Sequence, residues 1–178
     1  MISIMWQGFS IFDPKRIRRF DPGEAIFRAG SEVTQVFLVC SGRTALVRSL
    51  ASGERAILQR ASAGHILAEA SVYAQNYHCD CKALETTELA SMPLKSFREA
   101  LRVDTQLAEA WSAYLARGVQ QARMRAEIRS LRTVAERLDL WLAEYGPLPE
   151  KGQWQDLASE LSVSREALYR ELSHRRTA

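Results

Sequence analysis

The chain changes character near Pro93, and this contrast constrains its fold more than any other feature. Between Phe20 and Pro93, glycine recurs at five turn-like places: Pro22-Gly23, Ala29-Gly30, Ser41-Gly42, Ser52-Gly53 and Ala63-Gly64. Between these turns lie short runs with the β-branched and aromatic content of strands: Ala25–Phe27, Val36–Cys40, Thr44–Leu50 and Arg55–Gln59. Ser52-Gly53 predicts a tight hairpin, because glycine adopts positive φ without a Cβ clash. The first part of the chain is therefore predicted to form a β-sandwich or a β-barrel.

After Pro93 the next proline is Pro147, and helical periodicity replaces the strand pattern. Leu94–Leu101 is a short predicted helix, and Asp104-Thr105 can cap a longer one that ends near Ser130. Apolar or small residues recur along the longer helix at three- and four-residue steps: Leu107, Trp111, Tyr114, Gly118, Ala122 and Ile128. A helix of about 25 residues exceeds what a small barrel can cover, so we expect it to pack against a second copy. The alternative is a core helix within one chain.

Three shorter helices are predicted at the end of the chain. Val134–Tyr145, with Leu138, Leu142 and Trp141 facing inward, ends at Gly146-Pro147, and a turn-rich connector follows to Gly152. The helices Gln155–Leu161 and Arg165–His174 are separated only by Ser162-Val163-Ser164. Ala158 suits a close crossing of these two helices, since a large side chain there would hold them apart. Ser162 stands where such turns usually have glycine, at a cost of roughly 1 kcal/mol.

The last predicted helix has a polar outer face. Ser164 can cap it, which leaves Arg165, Glu166, Tyr169 and Arg170 near its start or on its surface. Arginine matches the two acceptors of guanine in the major groove, and glutamate can accept a hydrogen bond from cytosine. This pattern favours a DNA-contacting helix, and the alternative is an ordinary solvated face.

Composition adds limits but no identity. The net charge of +3 is too small to indicate nucleic-acid binding by itself, so any DNA-binding signal must be local. Three cysteines form no regular framework, which favours a reducing compartment, and the cytoplasm is the expected location. The sequence shows neither a signal peptide nor a membrane-spanning run. Because His65, His78 and His174 are scattered and accompany no catalytic motif, we do not expect an enzyme.

Two separate parts of the sequence resemble Crp/Fnr-type bacterial transcription regulators. One part resembles their cyclic-nucleotide-binding barrel: Phe20–Phe27, Gly30, Val36–Gly42, Gly53 and Gly64–Tyr73. The other resembles their DNA-binding domain: Val134–Leu138 and Ser164–Arg170. The resemblance implies an α+β fold with a sensing β-barrel (1–103), a dimerisation helix (104–130) and a helix-turn-helix domain (131–178). It also implies a cytoplasmic homodimer that binds palindromic double-stranded DNA. RNA polymerase and an unidentified small-molecule effector are further expected partners.

The same resemblance predicts an effector pocket but argues against cAMP. Glu69 matches the glutamate that holds the ribose in cyclic-nucleotide-binding members. Their phosphate-binding Arg-Ser pair falls on Cys79 and Asp80 here, which removes the cation and introduces a carboxylate. In cyclic-nucleotide-binding members, a threonine and a serine on the long helix contact the base. These residues are replaced here by Ala122 and Arg123, and Arg123 could supply a substitute cation. Without a cyclic nucleotide to bind, Glu69 is instead expected to be a structural carboxylate at a turn of the barrel.

Other cofactors are also disfavoured. An iron–sulfur cluster is not expected, because the oxygen-sensing members use four cysteine ligands and this chain has three cysteines. His65, His78 and Cys79 could ligate haem by residue type alone. His78 with Cys79-x-Cys81 could bind a metal or respond to oxidation, but alternate residues of a strand share a face in any case. We therefore expect ordinary thiols, no metal, and an effector that the sequence leaves unknown.

The end of the chain raises an alternative function. Family members continue into a two-stranded wing that contacts phosphates, whereas this sequence ends at Arg175-Arg176-Thr177-Ala178. Arg175 and Arg176 could partly replace those contacts. The main prediction is a sequence-specific DNA-binding regulator with a hinge at Ile128–Thr133. The alternative is a dimeric ligand- or protein-binding module of the same family that has lost specific DNA binding.

Overall fold

The computed structural model describes residues 11–13, 15–49 and 55–177. The chain divides into two compact units within its longest helix, with the boundary between Leu115 and Ala116. This boundary lies inside the predicted dimerisation segment 104–130, so the three-part division inferred from the sequence stays a prediction. Among the described residues, no helix is both long enough and apolar enough to cross a membrane.

The N-terminal unit contains two four-stranded antiparallel sheets, as the barrel prediction requires. One sheet has the order β1-β8-β3-β6 and the other the order β2-β7-β4-β5. The strands are β1 (Ile17–Phe20), β2 (Ala25–Phe27), β3 (Gln35–Ser41), β4 (Arg43–Ser49), β5 (Arg55–Ser62), β6 (Ile66–Leu67), β7 (Asp80–Ala83) and β8 (Thr87–Pro93). The predicted hairpin at Ser52-Gly53 lies outside the described residues, although Ser49 of β4 pairs with Arg55 of β5.

Gly42 makes the tight connection between β3 and β4 possible. Its φ is +80°, in the left-handed region that side chains disfavour. A Cβ atom at this position would lie 2.4 Å from the carbonyl oxygen of Thr86 and 2.6 Å from Oγ1 of Thr87. The sequence therefore needs glycine here for both conformation and space.

Two helices follow the sheets. They are α1 (Leu94–Val103) and α2 (Thr105–Ser130). The predicted cap of α2 is confirmed, because Oδ1 of Asp104 accepts a hydrogen bond from the Leu107 N–H at 3.0 Å. Leu107, Trp111 and Tyr114 of the predicted stripe are buried in the N-terminal core. Farther along the stripe, Gly118 is half-buried and Ala122 is exposed.

The C-terminal unit packs the end of α2 with three further helices. These are α3 (Val134–Tyr145), α4 (Trp154–Glu160) and α5 (Arg165–Thr177), with a 3-10 turn at Lys151–Gln153 before α4. Thr133 and Glu136 form a reciprocal capping box at the start of α3. The core contains Ile128, Leu138, Trp141, Leu157, Ala158, Leu161, Leu168 and Leu172. Leu138 and Trp141 face inward as predicted, whereas Leu142 is only half-buried.

Candidate functional sites

The turn between α4 and α5 has the geometry of a Schellman motif. Ser162 adopts φ 52°, the left-handed conformation that ends many helices. Its N–H donates to the Ser159 carbonyl at 3.1 Å, and the Val163 N–H donates to the Ala158 carbonyl at 2.9 Å. Ala158 is only 3% exposed at the crossing of the two helices. A small residue at this crossing and positive φ at Ser162 are both as the sequence predicted.

Three side chains reinforce this turn from other helices. Arg137 of α3 donates to the carbonyls of Leu161 (2.9 Å) and Ser162 (3.1 Å). Arg129, near the end of α2, donates to the Glu160 carbonyl at 3.2 Å. The Trp141 indole N–H donates to Oε2 of Glu160 at 3.0 Å. Sequence reasoning missed these contacts, since nothing in the local pattern around Arg137 or Arg129 specifies where their side chains reach.

The N-terminal half of α5 presents its charged residues to solvent. Ser164 caps the helix, because its Oγ accepts a hydrogen bond from the Ala167 N–H at 3.1 Å. Arg165, Glu166 and Arg170 are exposed, whereas Leu168 on the opposite face is fully buried. The pKa of the Glu166 carboxyl is lowered, mainly because the carboxylate accepts a hydrogen bond from the Glu166 backbone N–H. A hydrogen bond with the Ser164 side chain lowers it further. The exposed surface therefore carries two cations and one ionised acceptor at the start of the helix.

Tyr169 supports this surface from below. It is half-buried, with its ring edge-on to Trp154 at a centroid distance of 5.2 Å. The guanidinium carbon of Arg165 lies 5.2 Å from the centroid of the same ring, within cation–π range. Trp154 is itself held by a hydrogen bond from its indole N–H to the Pro149 carbonyl at 3.0 Å. Tyr169 can thus orient Arg165 as well as form part of the surface.

The two arginines near the end of α5 differ in their surroundings. Arg175 donates to Oε1 of Glu171 (2.6 Å), Oδ1 of Asp139 (2.7 Å) and the Ala135 carbonyl (3.1 Å). Hydrogen bonds to Asp139 and then Glu171 raise the pKa of its guanidinium. Arg175 therefore joins α5 to α3, and this internal role disfavours the predicted phosphate contact. Arg176 is exposed, and a phosphate contact from it stays a prediction.

In the N-terminal unit, the predicted sensor residues lie around a short 3-10 helix and the start of β7. Glu69 begins the 3-10 helix Glu69–Ser71 and is half-buried. Oδ1 of Asp80 accepts a hydrogen bond from the Ala29 N–H at 2.8 Å. Cys79 is buried, and burial raises the pKa of its thiol. Cys79 and Asp80 thus offer a neutral thiol and a carboxylate already engaged with the backbone, not a cation.

The remaining candidate ligands do not form a metal site in the part of the chain that is described. Cys79 and Cys81 are both buried, and among the described residues no group of three His, Cys, Asp or Glu side chains could hold a metal ion. The ring nitrogen Nδ1 of His65 lies 3.0 Å from the Ser62 carbonyl, and that of His78 lies 3.4 Å from Ser71 Oγ. Ala122 and Arg123 are exposed on the part of α2 that belongs to the C-terminal unit.

Comparison with known proteins gives a match to one domain model and to several solved structures. Residues 17–104 match the model of the cyclic nucleotide-binding domain. The structure of FixK2 from Bradyrhizobium japonicum is 21% identical in sequence and superposes with a TM-score of 0.75. The match covers 90% of this chain and 84% of the FixK2 chain. The c-di-GMP-responsive global regulator CLP from Xanthomonas campestris is 17% identical, with a TM-score of 0.68 and coverages of 90% and 86%. No curated protein sequence matches the chain.

A third solved structure agrees with these two. TTHB099, a CRP-family transcriptional regulator from Thermus thermophilus, is 17% identical, with a TM-score of 0.65 and coverages of 90% and 84%. At identities this low, the structural similarity shows a shared fold and nothing more. The match to the domain model covers the barrel together with α1. The chain therefore carries a cyclic nucleotide-binding domain over residues 17–104 and has the fold of the Crp/Fnr-type transcription regulators that its sequence resembles.

Proposed function

We propose that this protein is a cytoplasmic, homodimeric transcription regulator that binds a palindromic DNA site through α5. The observation that carries the proposal is the amphipathic placement of α5. Leu168 and Leu172 anchor the helix in the C-terminal core, while Arg165, Glu166 and Arg170 extend into solvent. A helix held this way can enter the major groove, where an arginine fork pairs with guanine and a carboxylate accepts from cytosine.

The order of the elements supports a paired arrangement. Helix α2 is 26 residues long, and Val119 and Ala122 on its middle part are exposed in the single chain. A second copy packed along this part would cover them, as coiled helices cover apolar seams. Two-fold symmetry would favour a palindrome, and binding in successive major grooves would require the two α5 helices to lie about 34 Å apart, one turn of DNA.

The test is selection of a binding site from a randomised palindrome library, followed by fluorescence anisotropy on the selected site. Arg165→Ala should weaken binding by about 5- to 150-fold, the equivalent of about 1–3 kcal/mol, and should relax the preference at one base position. Arg19→Ala is the matched control, because Arg19 is an exposed arginine on β1 and its loss changes the net charge equally. It should leave the affinity almost unchanged.

A different result would favour the alternative function. If the wild-type chain shows only weak, salt-sensitive binding that is the same for all sequences, the protein is a dimeric ligand- or protein-binding module. Equal effects of Arg165→Ala and Arg19→Ala would point the same way, because both would then act only through general electrostatics.

We further propose that the effector of this domain is not cAMP. The phosphate would meet Asp80, whose carboxylate accepts a hydrogen bond from the Ala29 backbone, and the buried neutral thiol of Cys79. One mispaired charge in a partly buried pocket costs on the order of a few kcal/mol, or two or more decades in affinity. Calorimetric titration with cAMP should give no saturable heat. Saturable binding at micromolar cAMP would refute this part of the proposal.

A further inference from the structure

We propose that Arg137 is a positioning residue that fixes the recognition helix α5 relative to the segment joining α2 to α3, and so sets which half-site spacing the dimer accepts. The predicted hinge Ile128–Thr133 begins inside α2, and only Leu131–Thr133 lies between the two helices. These three residues are called the hinge segment. The inference rests on the proposed function, because spacing has meaning only for a protein that binds two half-sites. Its structural content can be tested without DNA.

One guanidinium joins two separate stretches of backbone. Nε of Arg137 donates to the Leu131 carbonyl in the hinge segment at 2.9 Å. Nη1 donates to Leu161 at 2.9 Å and to Ser162 at 3.1 Å, in the turn before α5. Because the guanidinium is planar and its donors point in fixed directions, these bonds restrain distance and angle together. The flexible point charge of a lysine would not provide the same restraint.

Two of the three acceptors, the carbonyls of Leu161 and Ser162, directly follow α4. The last carbonyls of α4 have no intrahelical donors, and the helix dipole makes them favourable sites for cations. Backbone N–H groups of the turn donate hydrogen bonds to the carbonyls of Ala158 and Ser159. The side chain of Arg129 donates to the Glu160 carbonyl, and that of Arg137 donates to the Leu161 carbonyl. Both arginines therefore tie the end of α4 to the end of α2 or to the hinge segment that follows it.

The path from this turn to the DNA-contacting surface is short. Only Val163 separates Ser162 from Ser164, the residue that caps α5. A displacement of the hinge segment would be passed through Arg137 to the start of α5. In a two-fold dimer both recognition helices would shift, so the separation that they span would change by the combined displacement.

The first experiment measures spacing preference on the selected palindrome. Sites are compared with the centre unchanged, lengthened by one base pair or shortened by one base pair. Wild type should prefer one spacing by about tenfold or more, since a misplaced half-site loses base contacts. Arg137→Ala should bring the three affinities to within about threefold, and Arg137→Lys should not restore the preference. Arg132→Ala is the control, because it removes an exposed arginine from the hinge segment itself.

The spacing ratio separates positioning from mere stability. Loss of stability lowers binding to all three sites alike, whereas loss of positioning changes their ratio. If Arg137→Ala keeps the wild-type ratio, or if Arg132→Ala flattens it equally, the inference is wrong. Circular dichroism checks that both Arg137 variants fold. If Arg137→Ala does not fold, the spacing ratio is measured on Arg137→Lys, which keeps the positive charge but not the planar guanidinium.

The second experiment is amide hydrogen exchange on the free protein, which needs no DNA site. In Arg137→Lys, and in Arg137→Ala if it folds, exchange should speed up together at the Leu131 amide and at those of Ser162 and Val163. Amides in the middle of α3 should keep their wild-type rates. An increase at only one of the two places, or at neither, would overturn the inference. If wild type has no specific DNA site, the proposed function fails, and the exchange result still decides whether Arg137 links the two segments.

Discussion

Replacement of Ser162 by glycine should make the C-terminal unit more stable. The left-handed conformation costs an L-residue roughly 1–2 kcal/mol, whereas glycine adopts it freely but loses roughly 0.5–1 kcal/mol more backbone entropy on folding. The difference predicts a gain of about 0.5–1 kcal/mol. Ser162 contributes to the turn through its backbone N–H and carbonyl, and glycine retains both groups. The turn should therefore keep its hydrogen bonds while its strain is removed.

Urea unfolding followed by tryptophan fluorescence measures this gain, because Trp141 and Trp154 lie in the same unit as the turn. Thermal unfolding should show a rise of roughly 2–8 °C for a unit of this size. Ser159→Gly is the matched control, since Ser159 lies within α4 and glycine in a helix costs up to about 1 kcal/mol. If Ser162→Gly destabilises the unit as much as Ser159→Gly does, the argument from backbone strain is refuted.

Three further predictions concern the N-terminal unit. Gly42→Ala should destabilise it by more than about 2 kcal/mol, because the new Cβ would clash with backbone atoms. At Gly30 a new Cβ would meet no atom within 4 Å, so Gly30→Ala should cost only about 1 kcal/mol. Urea unfolding of both variants compares the two costs. A disulfide exchange reagent should modify Cys40 rapidly in the native protein and the buried Cys79 and Cys81 only on unfolding; rapid native labelling of all three would contradict the burial. Burial raises the pKa of Cys81 from 9.0 to about 12, so its thiol stabilises the fold below pH 9 and that contribution is lost as the pH rises toward 12. The unfolding free energy should fall by on the order of 1 kcal/mol per pH unit in this range, and less steeply in Cys81→Ala.

Local chemistry made several elements predictable. The strand Ala25–Phe27 and the helix Val134–Tyr145 have the predicted ends, because glycine turns flank the strand and Gly146-Pro147 ends the helix in the sequence. The capping box at the start of this helix was found only in the structure. The caps at Asp104 and Ser164 are confirmed for the same reason, since each is a short polar side chain directly before a helix. Such signals act over a few residues and need no knowledge of the tertiary fold.

Other elements depended on contacts that are distant in sequence. The strands β1, β6, β7 and β8 were not predicted individually. Strand β1 pairs with the distant β8, β6 has only two residues and pairs with β3, and β7 lies between β2 and β4. The longer-range bonds of Arg137 and Arg175 join residues 24 to 40 positions apart, so residue type alone could not separate these two from solvent-exposed arginines. The charged face of α5 was visible in the sequence, but the elements that hold it in place were not.

The aromatic residues of the N-terminal core give this protein an internal fluorophore near the segment that contains Glu69, a residue of the predicted effector pocket. Trp111 lies between Phe97 and Tyr114, with ring centroids 5.1 Å and 5.6 Å away. The Tyr114 hydroxyl accepts a hydrogen bond from the Ile66 N–H at 3.0 Å, three residues before Glu69. A ligand that moved this segment would alter the surroundings of the indole ring. With the other three tryptophans replaced by phenylalanine, the emission of Trp111 would report effector binding without an added label.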